Sequence, residues 1–117
     1  MCTVLVVTDD REVRRILAGM LAEQGTKVVE VDDAVEAIAR VGGMDKHPDL
    51  VLVDRRLARG KEVDLLDSIR SRASLDDVPI VLFAVPAGGP GHPDPGESLR
   101  EAFDPVLVLA IVQAICR

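Results

Sequence analysis

Three aspartates stand where they could do chemistry together. Asp54 closes the apolar run Leu50-Val51-Leu52-Val53, and the acidic pair Asp9-Asp10 ends the first apolar run of the chain. A strand delivers its last side chain to one edge of a sheet, so two such strands side by side bring these carboxylates into one pocket. Clustered carboxylates repel unless a cation holds them or some of them take up protons. An oxygen-only set suits Mg²⁺, which takes one or two carboxylates and keeps positions open for phosphate oxygens. The plainer reading is that an acid after a strand caps the next helix, which serves Asp9 or Asp10 singly just as well. The three at this separation indicate a phosphate-handling metal site.

The elements that must position them are legible in the apolar pattern. Runs of strand length, rich in β-branched residues, occur at Thr3–Thr8, Lys27–Val31, Leu50–Val53 and Pro79–Val85. They lack alternation, which indicates strands buried on both faces, as in a parallel sheet covered by helices. Between them, Arg11–Gln24 places Val13, Leu17, Met20 and Leu21 on one helical stripe closed by Gly25. Asp33–Val41 reads as a short helix capped by Asp32 or Asp33 and ended by Gly42-Gly43. Val63, Leu66, Ile69 and Arg70 belong to a third helix, and a last one starts at Asp104-Pro105. Strands alternating with helices specify an α/β doubly wound domain, whose ligands bind beyond the carboxyl ends of the strands. Asp9, Asp10 and Asp54 all lie at that edge.

One stretch breaks the alternation. Val85 to Gly96 holds four prolines and four glycines in twelve residues, and no helix survives that density. A helix expected there is shortened to roughly Glu97–Ala102 or replaced by a loop.

Composition narrows the function classes. The 117 residues make one domain, 1–117, with 48% apolar residues and a single core. There is no Trp or Tyr, and Phe occurs only at Phe83 and Phe103, so base stacking has no material. A net charge of −6 argues against nucleic acid or an anionic membrane as direct partner. Cys2 and Cys116 are too few for a zinc site or a disulfide framework, and two reduced cysteines in a cytoplasmic protein are expected. The N-terminus has neither the basic head nor the apolar stretch of a signal peptide.

These residues resemble the receiver domain of two-component response regulators. The resemblance covers essentially the whole chain. It rests on Asp9-Asp10 followed by Arg14-Arg15, on Pro48-Asp49 leading into Leu50–Asp54, on Val78-Pro79-Ile80-Val81-Leu82, and on Asp104-Pro105. It implies a flavodoxin-like fold with a five-stranded parallel sheet. It implies that Asp54 accepts a phosphoryl group from a histidine kinase or phosphotransfer protein, and that Asp9, Asp10, Asp54 and the Arg56 backbone carbonyl bind Mg²⁺, here weakly. The implied chemistry is in-line attack of a carboxylate on phosphorus, with self-phosphorylation the only catalysis.

The chain departs from the family pattern at several positions. The switch Ser or Thr falls at Ala84, the lysine at Asp104, the Pro-Gly after the phosphoacceptor at Ala58-Arg59, the later Gly at Glu62 and the switch aromatic at Glu101. An impaired phospho-switch follows. Unit charges about 4 Å apart interact by roughly 4 kcal/mol at an effective dielectric near 20, so exchanging a lysine for Asp104 weakens the hold on a phosphoryl group. Arg55, Arg56 and Arg59 follow Asp54 closely, and Arg56 could replace the missing cation, the plain alternative being that all three face solvent. His47 and His92 read as surface residues.

The function expected is therefore a receiver module acting through protein contacts, or a pseudo-receiver that works without phosphate. An aspartate-based phosphatase wants a second acid two residues after the nucleophile, where Arg56 stands; a dinucleotide-binding domain wants a Gly-rich turn, where Thr8-Asp9-Asp10 stands. The last helix is expected to carry the partner surface and to pair two copies. Val106 to Cys116 has a single polar residue, Gln113, and Leu107, Ile111 and Ile115 are assigned to the sheet with Val108 and Val112. That leaves Val106, Leu109 and Cys116 facing outward as the partner surface.

Overall fold

The computed structural model describes residues 2–84 and 105–116. Four strands, β1 (Thr3–Val7), β2 (Lys27–Val31), β3 (Leu50–Asp54) and β4 (Ile80–Phe83), form a parallel sheet in the order β2-β1-β3-β4. Helices α1 (Arg11–Glu23), α2 (Ala34–Gly42), α3 (Glu62–Arg72) and α4 (Pro105–Ile115) connect or flank them. The expected five-stranded sheet has four strands among the described residues. The stretch from Val85 to Asp104, with the shortened helix expected within it and the positions Glu101 and Asp104, lies outside the described residues.

The apolar runs became strands because both sheet faces are covered. Val4, Val6, Leu50 and Leu52 point to one side and pack with Val13, Leu17 and Leu21 of α1 and Val108 and Val112 of α4. Leu5, Val7, Val51 and Val53 point to the other and pack with Ala37 and Val41 of α2 and with Ile69 of α3. Each fully buried Leu or Val stabilises the fold by roughly 1.5–3 kcal/mol. None of the helices among the described residues is long and apolar enough to cross a membrane.

The helix ends follow local chemistry. Asp10 caps α1, its Oδ1 accepting the Val13 N–H at 3.0 Å, and Asp33 caps α2 by accepting from Glu36 N–H at 2.8 Å. At the far end of α1, Gly25 takes φ +75°, so that its own N–H reaches Ala22 O and the Thr26 N–H reaches Leu21 O, both at 3.0 Å. That pair of bonds is the Schellman closure that glycine makes possible.

Two sequence expectations are overturned. Cys2 and Cys116 form a disulfide, with Cα atoms 5.6 Å apart, instead of two reduced thiols. The sequence separation of 114 residues disguised this; β1 is an inner strand and α4 packs on the same face, which brings the two positions together. The rotation of α4 also differs. Leu109 and Cys116, expected outside, pack against the core beside Val108 and Val112, whereas Leu107 and Ile115 are 58% and 37% exposed. Val106 faces outward as expected, at 73% exposure. A helix with one polar residue has no amphipathic pattern to fix its rotation, so tertiary packing chose it.

Candidate functional site

Register assembles the site. Val7 pairs with Val31 on one side and with Val53 on the other, so the next residues, Thr8 and Asp54, meet at the carboxyl edge of the sheet. Asp54 is completely buried. Thr8 Oγ1 donates to Asp54 Oδ2 at 2.8 Å and accepts the Asp10 N–H at 3.2 Å. One hydroxyl thus ties the buried acid to the acidic pair. Sequence reasoning assigned Thr8 only to a strand; its place directly before Asp9-Asp10, one residue past paired strands, was the signal.

After Asp54 the chain turns through a short 3₁₀ helix, Arg55–Ala58, in which Asp54 Oδ1 accepts the Arg56 N–H at 2.9 Å. This turn throws the Arg56 side chain back over the pocket. Its Nη2 donates to Asp54 Oδ2 at 2.7 Å, and its Nε lies 3.2 Å from both Asp54 oxygens. The same Nη2 reaches Asp10 Oδ2 at 3.4 Å and Asp9 Oδ1 at 3.9 Å. The three aspartates predicted to share a pocket do share it, around a guanidinium. Hydrogen bonding to Asp54, with the negative fields of Asp54, Asp10 and Asp9 added, holds Arg56 above its ordinary pKa despite partial burial. The cation is permanent.

The other arginines divide. Arg55 turns to Glu62, Nε to Oε1 at 3.4 Å. Arg59 ends the 3₁₀ turn in the left-handed region at φ 50°, where the family resemblance sets a glycine. An open cavity of about 370 Å³ beside the pocket is bordered by Asp9, Arg56, Leu57 and Arg59. Ala84 is half-buried just beyond β4 and offers no hydroxyl, and His47 is exposed.

The donors expected on Mg²⁺ do not fit the ion in this arrangement. Both Asp54 oxygens accept from Arg56, and Asp10 divides its oxygens between Val13 N–H and Arg56. The Arg56 carbonyl accepts the Arg59 N–H at 3.3 Å. Among the described residues, no three acidic, His or Cys side chains are grouped to hold a metal ion. The Arg56 guanidinium lies among the three carboxylates instead.

Comparison with known proteins adds a family to this geometry. Residues 4–88 match the model of the response regulator receiver domain. Over 80 residues, 68% of this chain, it is 27% identical to the phosphate regulon transcriptional regulatory protein PhoB of Escherichia coli, and it spans 34% of that protein's length. It is 29% identical, over all of this chain and 40% of the relative, to a protein-glutamate methylesterase/protein-glutamine glutaminase of Geobacter metallireducens. In fold it is similar to the chemotaxis response regulator CheY4 of Vibrio cholerae, with a TM-score of 0.72, 20% identity and 98% of both chains covered.

Proposed function

We propose, from the premise that this chain belongs to the response regulator receiver domain family, that it is a receiver module whose acidic pocket is neutralised by its own Arg56. Asp54 is the candidate phosphoacceptor, supplied by a histidine kinase or phosphotransfer protein in the cytoplasm, and the output is made through protein contacts. Partner contacts, a second copy of the chain included, lie on the outward face of α4, where Val106 is 73% exposed.

The observation that supports this reading is the clamp of Arg56 on Asp54, with Nη2 2.7 Å from Oδ2. Attack on phosphorus needs a carboxylate oxygen free to align with the leaving group. Here Oδ1 accepts from the Arg56 backbone and Nε, and Oδ2 accepts from Arg56 and Thr8. Phosphorylation therefore waits on rotation of Arg56, a side chain 40% exposed, away from Asp54, Asp10 and Asp9. Weak Mg²⁺ binding at Asp10 and Asp54, with Asp9 in the outer shell, requires the same guanidinium to leave first.

A second reading, a pseudo-receiver that never takes phosphate, draws on the same contact: Asp54 is fully hydrogen-bonded without it. Intact-mass measurement after incubation with a small-molecule acyl phosphate and Mg²⁺ separates the two. A slow gain of one phosphate, lost in Asp54→Ala, supports the phosphoacceptor. No gain in the wild type or in Arg56→Ala supports the pseudo-receiver. An adduct that survives Asp54→Ala removes Asp54 from the role.

A further inference from the structure

The Cys2–Cys116 disulfide stands at the end of the molecule opposite the acidic pocket, and the reading of Asp54 leaves it unused. Cys2 precedes β1, and its carbonyl accepts the Lys27 N–H at 2.9 Å, so it is fixed to the amino edge of the sheet. Cys116 follows the last turn of α4, its N–H bonded to Val112 O at 2.7 Å. Both residues are half-buried, at the margin of the core and not within it. The bond therefore joins a rigid strand to the carboxyl end of a surface helix.

What the bond holds down is an apolar stripe. Val108 and Val112 are 5% and 1% exposed, and Leu109, Ile111 and Cys116 pack beside them on the face built by Val4, Val6, Leu17, Leu21, Leu50 and Leu52. Near its carboxyl end, Gln113 Nε2 donates to Gln24 Oε1 at an exposed 3.3 Å. Among the described residues, the last two turns are held by the apolar packing of Leu109, Ile111 and Val112 and by the sulfur bridge.

We propose that Cys2–Cys116 is a redox latch on α4. Oxidised, it clamps the helix end to the start of β1. A dithiol reductant opens it: one thiolate attacks a sulfur of the bridge, the S–S bond breaks to a mixed disulfide, and the reductant's second thiol resolves that intermediate. Two electrons and two protons pass to the protein, leaving two thiols, and the reductant leaves as its own disulfide. The freed helix end then frays, and the stripe that includes Leu109, Ile111 and Val112 becomes available to other surfaces. The latch converts thiol redox state into the accessibility of one helix, independently of Asp54.

Hydrogen exchange read by mass spectrometry tests this on the full chain. Oxidised protein is compared with protein in dithiothreitol and with Cys2→Ser and Cys116→Ser, circular dichroism confirming that each remains folded. In the reduced and substituted forms the amides of Leu109–Ile115 are expected to exchange about tenfold faster or more, while those of β1 and β3 stay protected. Equal exchange in α4 across all forms overturns the latch, because the bond would then restrain nothing. Loss of protection throughout the sheet also overturns it, because the bond would then be a global staple. Alkylation of both cysteines in unreduced, denatured protein overturns the pairing itself.

Discussion

Arg56 grips Asp54 with backbone and side chain together: its backbone N–H lies 2.9 Å from Oδ1, its Nη2 2.7 Å from Oδ2, and its Nε 3.2 Å from both oxygens. The residue two positions after the acid, on a tight 3₁₀ turn, closes this ring on itself. The grip solves a physical problem: Asp54 has no exposed surface, and a buried carboxylate without a counter-charge costs several kcal/mol. In this chain the counter-charge stands two residues further along the sequence.

Arg56→Ala is expected to destabilise the fold by about 1–3 kcal/mol, a figure reduced from the fully buried case because the arginine side chain is 40% exposed. The same change should open the pocket to cations. Calorimetric titration with Mg²⁺ or Mn²⁺ is expected to give little heat with the wild type at millimolar metal and saturable binding with the variant. Equal binding by both proteins would show that the guanidinium does not compete with metal.

Thr8→Val keeps the shape and removes two hydrogen bonds, to Asp54 Oδ2 and from the Asp10 N–H. Leaving a buried carboxylate oxygen short of a donor is expected to cost about 1–3 kcal/mol in urea denaturation. Thr8→Ser, which retains the hydroxyl, should recover most of it. If serine is as damaging as valine, the contribution of Thr8 is packing by its methyl group.

The fold was legible where local chemistry and tertiary packing agree. The four strand runs, a cap at Asp32 or Asp33 (the structure uses Asp33) and the Gly25 closure follow from residue type and spacing, whereas the bond of Thr8 to Asp54 was not read from the sequence and follows from the parallel register. The aspartate cluster was legible for the same reason. The direction of the Arg56 side chain was not, because it depends on the 3₁₀ turn after Asp54, which no apolar period announces. The disulfide was hidden because cysteine pairing is a property of three-dimensional proximity, not of spacing along the chain.

Gly25→Ala isolates a backbone effect. An added Cβ meets nothing within 4 Å, so no steric contact with the rest of the protein is introduced. The φ of +75° remains, and an L residue in that region is expected to lose about 1 kcal/mol. Thermal unfolding should shift down by a few degrees with unchanged cooperativity. No shift would mean that the end of α1 relaxes into another closure at no cost.

The rotation of α4 separates two substitutions that the sequence alone would treat as equivalent. Val106 is 73% exposed, whereas Leu109 packs on the core beside Val108 and Val112. Leu109→Glu drives a carboxylate against apolar side chains and is expected to cost about 2–3 kcal/mol. Val106→Glu places its charge in water and should leave stability within about 0.5 kcal/mol. If copies of the chain pair through the outward face of α4, Val106→Glu is also the variant that lowers the apparent mass in a light-scattering concentration series. Chemical denaturation run beside the scattering keeps the two effects apart. A Leu109→Glu protein of undiminished stability would reverse the helix orientation. An unchanged mass with Val106→Glu, in a wild type that does associate, would move the pairing surface off this face.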